Sequence, residues 1–325
     1  MIRQRLGKDL LFFDGGMGTL LQEKGLAPGE LPETWNLTHS EEIYKIHRQY
    51  IEAGSDIILT NTFGANALKF HDDSCSLEEI IKAAVSHVKK AEREALLQTG
   101  DERKIYTALD VGPTGKLLKP MGDLEFETAY EAFKEVVILG EQAGADLIHI
   151  ETMSDTYELK AAVLAAKENT SLPVFATVIF DERKKLLTGA DVSSVVALLE
   201  GLGVDALGIN CAMGPKEMLP VLEELIKYSS VPIIVKPNAG LPKQRDGETY
   251  YDVEPEQFAK TMEMIVETGA CVIGGCCGTT PDHIRAMIAQ CKDLLIKTPE
   301  KKVHTIVSSY GQAVMLGTGS RIIGE

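Results

Sequence analysis

The stretch Asp146-Leu147-Ile148-His149-Ile150-Glu151, followed after a short gap by the helical pattern Asp155–Asn169, is the unit whose repetition decides the fold. A short run rich in Ile and Leu, with an acid at its far end, reads as a parallel strand covered on both faces. The longer stretch behind it reads as a helix that carries the chain back to the strand's starting edge. Working outward, seven further runs follow the same plan: Leu10–Asp14, Asp56–Asn61, Ile105–Asp110, Pro173–Phe180, Ala206–Cys211, Pro232–Asn238 and Cys271–Cys276. Helical patterns fill the intervals. Glu41–Ala53 sets Ile43, Ile46, Tyr50 and Ala53 on one face and has Gly54 just past its end. A second helix opens at the capping box Ser76-Leu77-Glu78-Glu79. Others fit Glu125–Ala143, Asp191–Leu202, Pro215–Tyr228, Pro255–Thr268 and Pro281–Leu295, the last entered through the cap, first-turn proline and acid of Thr280-Pro281-Asp282. Strand–helix units in strict alternation, eight in number, close most economically into an α/β (β/α)8 TIM barrel; a doubly wound sheet is the competing arrangement.

The barrel is expected to occupy residues 1–297 as one domain. Thr298-Pro299-Glu300-Lys301-Lys302 then reads as a hinge. The apolar run after it, ending Arg321-Ile322-Ile323-Gly324-Glu325, is surplus to the barrel, so 298–325 is expected to be a linker and the truncated start of a following domain.

Composition narrows the function. The chain has 325 residues, of which 44% are hydrophobic and 25% charged, as in ordinary globular proteins. A formal charge of −15 argues against a general nucleic-acid or anionic-membrane binder, which needs a basic face to neutralise phosphates. No apolar run reaches the length of a membrane span. The first residues, with a short apolar stretch interrupted at Asp14-Gly15-Gly16, do not read as a signal peptide. The expectation is a cytoplasmic protein whose six cysteines are reduced.

Active sites of such barrels gather where strands end. The strand ends here carry Asp14, Asn61, Asp110, Glu151, Cys211, Asn238, Cys276 and Cys277. Any one acid or amide among them reads equally well as a helix cap or a loop acceptor. The thiols say more. Cys276 and Cys277 are adjacent, and neighbouring side chains of a regular strand point to opposite faces, so both meet one point only if the backbone turns sharply. The glycines of Gly274-Gly275-Cys276-Cys277-Gly278 permit such a turn. Cys211, ending another strand, can reach the same point across the mouth. Spacing alone leaves two readings open: three thiolates holding a soft or borderline cation with a fourth position vacant, or a vicinal disulfide or simply buried thiols. Cys271 reads as core, Cys75 as a loop residue and Cys291 as helical. His149 shares a face with Glu151 and reads as a hydrogen-bonded barrel residue. Lys236, near a strand end, is a lone candidate for Schiff-base chemistry. Trp35 reads as a packing or lid residue in a loop. The glycines after Asp14 offer either an anion cradle or a tight turn.

Asp14-Gly15-Gly16-Met17-Gly18-Thr19, Thr60-Asn61-Thr62-Phe63, Glu151-Thr152, Gly208-Ile209-Asn210-Cys211 and Gly274-Gly275-Cys276-Cys277-Gly278-Thr279-Thr280-Pro281 resemble, in order, the motifs of the homocysteine S-methyltransferase family across about residues 8 to 295. The resemblance implies a zinc ion on Cys211, Cys276 and Cys277 and methylation of L-homocysteine to methionine. It also implies that Asp14 and Glu151 hold the substrate ammonium and that amides around Gly15 and Gly16 hold its carboxylate. Asn238, on the strand between the two cysteine-bearing ones, is a candidate weak fourth ligand when substrate is absent. Methyl donors vary within the family. The residues after 298 favour its cobalamin-dependent, methionine-forming members, in which such a barrel precedes folate- and cobalamin-binding domains, so methylcobalamin is the expected donor. A stand-alone methyltransferase using betaine or S-methylmethionine, and a non-catalytic metal or redox thiol module, are the alternatives.

Overall fold

Eight parallel strands form the inner wall: β1 (Leu11–Phe12), β2 (Ile57–Leu59), β3 (Tyr106–Val111), β4 (Leu147–Met153), β5 (Val174–Val178), β6 (Ala206–Asn210), β7 (Ile233–Lys236) and β8 (Val272–Ile273). They pair in the order β1-β8-β7-β6-β5-β4-β3-β2, and a parallel bridge between Phe13 and Ile57 joins the two ends of the sheet. Each strand is followed by a helix of the outer layer: α1 (Ser40–Ala53), α2 (Leu77–Thr99), α3 (Phe126–Ala143), α4 (Thr156–Asn169), α5 (Val192–Gly201), α6 (Pro215–Tyr228), α7 (Pro255–Thr268) and α8 (Pro281–Cys291). This is the (β/α)8 barrel expected from the repeats. The computed structural model describes residues 1–70, 75–100, 102–245, 248–303, 305–317 and 319. The segment Ile322-Ile323-Gly324-Glu325, expected to open a following domain, lies outside the described residues.

Strand parity sorts the side chains into two cores. Ile58, Leu109, Ile148, Ile150, Val174, Leu207, Val235 and Ile273 point outward and pack against the helices. Leu11, Phe13, Ile57, Leu59, Tyr106, Ala108, Leu147, Phe175, Ala206, Ile234 and Val272 point inward and fill the barrel, with Ile2 from a 3-10 turn plugging its floor. Each large aliphatic or Phe side chain among them contributes about 1.5–3 kcal/mol by leaving water. Two residues further along the inward columns, the apolar fill gives way to Asp110 above Ala108, His149 and Glu151 above Leu147, and Lys236 above Ile234. All four are buried. The same alternation that fills the core thus aims titratable groups at the mouth.

Six of the eight strands are shorter than their apolar runs, because ladder pairing stops where the polar strand-end residues turn into loops; β3 matches its run in length, and β4 continues past Glu151 to Met153. Helix α8 ends at Cys291, short of Leu295, as the chain turns with the Leu294 amide on the Cys291 carbonyl (2.9 Å). Ile296 then joins the inner cluster at the floor. The expected helix caps at Ser76 and Thr280 are present. Trp35 opens a one-turn helix, Trp35–Thr38, and is buried, its Nε1 donating to Glu30 (2.7 Å). Cys271 and Cys291 are buried, and Cys75 is half-buried.

The segment after 298 is not simply surplus to the barrel. Residues Thr305–Ser308 and Ala313–Leu316 form an antiparallel hairpin against α5. At its tip the Tyr310 carbonyl accepts from Thr156 Oγ1 (2.7 Å), and the Tyr310 ring lies 5.0 Å from that of Tyr157. Alternation in this stretch, one face half-buried and one exposed, is the pattern of a strand laid on a surface. Among the described residues no helix is long and apolar enough to cross a membrane.

Candidate metal centre

Cys211 follows β6 directly, and Cys276 and Cys277 follow β8 after two glycines. Their sulfurs lie within 4.8 Å of one another, with Cys211 Sγ 3.8 Å from Cys277 Sγ. For a tetrahedral ion with metal–sulfur bonds of about 2.3 Å the edge is about 3.8 Å. The spacing and the softness of the donors both suit zinc.

Two different turns bring the sulfurs together. After β8, the Thr279 amide closes on the Cys276 carbonyl (3.1 Å) and Gly278 takes φ +76°. A Cβ on Gly278 would meet the Tyr251 ring at 2.3 Å. After β6 the left-handed residues are not glycines: Cys211 and Ala212 have φ of 56° and 57°. That conformation is uncommon and costly for residues with a Cβ and is held by bonds on either side, Cys211 N–H to the Lys236 carbonyl (3.0 Å) and Met213 N–H to the Cys211 carbonyl (2.6 Å). Nothing in the pattern of residue types announces it.

The trio takes one negative charge readily. Donation from Cys276 and then Cys277 draws the Cys211 thiol down to about 3. Contact with Cys211 and then Cys277 holds the Cys276 thiol well up, and the Cys211 sulfur raises that of Cys277 to about 12 although Cys276 acts against it. A cation is what allows all three to be thiolates at once. Asn238 is buried, and its Oδ1 has no hydrogen-bond partner. The Asn238 backbone amide donates to the Met213 carbonyl (3.0 Å) and the next amide, Ala239 N–H, to the Cys277 carbonyl (3.0 Å), so this orphaned oxygen belongs to a segment held against both cysteine loops.

Beneath the sulfurs lies a buried ionic network. Lys236 Nζ sits 2.5 Å from Glu151 Oε2 and 4.7 Å from the centre of the Phe13 ring, and His149 Nε2 is 3.1 Å from the same carboxylate oxygen. Burial would raise Glu151, but the Lys236 ammonium and the His149 contact outweigh it and bring the carboxyl down to about 2. Lys236 is held up against its own burial by Glu151, then by Cys276. Burial and the lysine lower His149 to about 4, so the ring is neutral, as expected of a hydrogen-bonded barrel residue. Burial raises Asp14 to about 7 in spite of Lys236, and its Oδ2 accepts from the Leu59 amide (2.9 Å). Lys236 is therefore an ion-pair partner and not a free amine for Schiff-base work.

The glycines after Asp14 make close contact with the Cys276-Cys277 loop. A Cβ on Gly15 would lie 2.6 Å from Thr279 Oγ1, and one on Gly16 2.8 Å from the Cys276 carbonyl. The Gly16 amide is already engaged with Thr279, and Tyr50 Oη donates to the carbonyls of Gly16 and Thr279 at 3.0 and 3.1 Å.

Asn210 stands in the motif Gly208-Ile209-Asn210-Cys211, but the sequence assigns it no role of its own. Fully buried, it accepts from the Thr152 amide (2.9 Å) and from Thr177 Oγ1 (2.8 Å), and its Nδ2 reaches Thr152 Oγ1 (2.7 Å) and Cys276 Sγ (3.8 Å). It links the irregular end of β4, where Thr152 has φ 64° beside Glu151, to the Cys276-Cys277 loop. The signal was its place one residue before Cys211. Tyr251 was missed: burial and the Cys277 sulfur beside it raise its hydroxyl.

Comparison with known proteins agrees with the geometry. A model of the homocysteine S-methyltransferase family matches residues 11–291. Methionine synthases of Mycobacterium leprae and Mycobacterium tuberculosis are each 35% identical, over 92% and 98% of this chain but only 26% and 28% of their own lengths. The chain thus spans about a quarter of these relatives. Among solved structures, homocysteine methyltransferase MmuM from Escherichia coli superposes in its metallated form with a TM-score of 0.76 at 25% identity, covering 87% of this chain and 96% of that one. Since the matched span takes in all the barrel strands and the three converging cysteines, the chain belongs to the homocysteine S-methyltransferase family.

Proposed function

We propose that this chain is a zinc-dependent module that transfers a methyl group to the thiolate of L-homocysteine, forming methionine, with methylcobalamin as donor. The observation that carries this reading is the convergence of three sulfurs within 4.8 Å at the C-terminal mouth of a barrel of this family. Cys211, Cys276 and Cys277 hold the zinc, and Asn238 Oδ1 is the weak ligand that gives way to substrate. Zinc supplies the Lewis acidity that keeps a bound sulfur deprotonated at neutral pH, where a free thiol is mostly protonated.

The chain's own residues do the positioning. Asp14 receives the substrate ammonium on Oδ1, which has no partner of its own. Glu151 receives it on the oxygen opposite the one that meets Lys236 and His149. The Gly16 amide is engaged with Thr279, so the carboxylate falls to the Gly15 amide and its neighbours. No proton leaves the transferred methyl carbon, so no base is needed there; the sulfur attacks in line and the donor departs. The rate gain from the barrel is orientation.

The methionine synthase relatives are almost four times longer. We therefore place this module ahead of folate- and cobalamin-binding domains, with 298–325 as the linker and the start of the next domain. MmuM, matched over nearly its full length, favours a second reading: a stand-alone methyltransferase using betaine or S-methylmethionine. The deciding experiment supplies anaerobically purified protein and its Cys276→Ala variant with homocysteine and, in parallel, methylcobalamin, betaine and S-methylmethionine. The expected result is one zinc per chain and turnover with methylcobalamin, both lost in the folded variant. Turnover with betaine alone would reject the donor. Full turnover in the variant would reject the metal, and zinc-free protein with an oxidised thiol pair would favour a redox module.

A further inference from the structure

An ammonium group has three N–H donors, and the methyltransferase reading gives it two carboxylates. The barrel interior holds a third. Asp110 stands on β3 in register with His149, two residues beyond Ala108, whose side chain lies in the inner core. The Asp110 carboxylate therefore shares the interior with Asp14, Glu151 and Lys236. Its backbone is clamped: the amide donates to Thr60 Oγ1 (3.1 Å), the carbonyl accepts from Thr62 Oγ1 (2.7 Å), and the two threonine hydroxyls bond each other (2.7 Å). Its side chain is not: Oδ1 is buried without a partner, as is Asp14 Oδ1. A buried, unpartnered carboxyl oxygen is costly and needs a reason. Lys236 does not supply it, because Lys236 Nζ is directed to Glu151.

We infer that Asp110 is a substrate-binding residue: its Oδ1 receives the third N–H of the α-ammonium of an amino-acid thiol, beside Asp14 and Glu151, while Lys236 balances the charge of the surplus acid. This rests on the methyltransferase reading and adds a ligand-binding residue to it. The electrostatics agree. Burial, then the Glu151 charge, holds Asp110 well above the ordinary carboxylate range, and an arriving cation favours its ionised form.

The test compares two thiols by equilibrium titration calorimetry on zinc-loaded protein with no methyl donor. One is L-homocysteine. The other is 4-sulfanylbutanoic acid, which keeps the thiol, the carboxylate and the carbon chain but has no ammonium. Asp110→Asn, nearly isosteric, is expected to weaken homocysteine by roughly 10- to 100-fold, the usual loss for a hydrogen bond to a charged group. Affinity for the amine-free thiol should stay within about twofold, and zinc content should remain unchanged. Asp110→Ser repeats the comparison should the Asn variant fail to fold. Equal homocysteine affinity in variant and parent, or equal loss of both thiols, would overturn the role of Asp110 alone. A parent protein that binds neither thiol would overturn the methyltransferase reading and this inference with it.

Discussion

Asp14 and Glu151 face the same interior, yet burial leaves them with opposite titration behaviour, because Lys236 lies against only one of them. Glu151, at about 2, sits below its ordinary 4.5, so the ion pair stabilises the fold above pH 4.5 and that contribution is lost as pH falls through 2. Asp14, at about 7, sits above its ordinary 3.8. Unfolded chain releases that proton first, so Asp14 lowers stability progressively from pH 3.8 to 7 and by a constant amount above. Asp14→Asn should therefore stabilise the protein at pH 8 by on the order of 2–4 kcal/mol, with the gain vanishing near pH 4. Urea unfolding at the two pH values checks this; a gain independent of pH would show that the carboxyl is not carried protonated. Such behaviour was only half legible in the chain. The acids at 14 and 151 stand in recognisable motifs and at strand ends. Lys236 also stands near a strand end, but its pairing with Glu151 across the barrel is a tertiary fact that spacing does not encode.

Elements were the more legible scale. Periodicity and caps located the barrel strands and their helices, since a parallel strand covered on both faces and an amphipathic helix leave different imprints. What escaped were elements too short to show a period: the one-turn helix at Trp35, the helix Met17–Glu23, and the hairpin of Lys243–Arg245 with Glu248–Tyr250. Helix α1 shows how a periodic reading can be right and incomplete. Its apolar face runs through Ile43, Ile46 and Tyr50, and His47 falls on that face too, fully buried with neither ring nitrogen hydrogen-bonded. Burial lowers the His47 ring to about 3. The unfolded chain takes up that proton near pH 6.5 while the folded one does not, so stability falls as pH drops from 6.5 to 3. His47→Leu removes both the unsatisfied nitrogens and the proton linkage. It should add about 1–3 kcal/mol at pH 8 and more at pH 5. Thermal unfolding across that range measures it, and a destabilised variant would indicate that the cavity does not accept a branched side chain.

For the whole molecule, the described residues beyond Lys297 lie on the closed barrel as a strap, the Lys302 amide donating to Ser230 Oγ (3.0 Å). The floor is complete before Lys297, with Ile2, Leu6 and Ile296 gathered in the inner cluster. The hairpin beyond it covers α5 with side chains that are only half-buried, Ile306 and Met315 among them, and hydrogen-bonds to α4 through Thr156. That amounts to little apolar area and few bonds. A chain ended at Lys297 should keep its fold and one zinc per molecule and lose about 2 kcal/mol. The urea midpoint should fall with the slope almost unchanged, since the slope follows the total surface exposed on unfolding. Loss of the cooperative transition, or of zinc, would mean instead that the strap belongs to the barrel: its tip, where Tyr310 lies against Tyr157 just beyond the end of β4, would then be holding the end of the strand that carries Glu151.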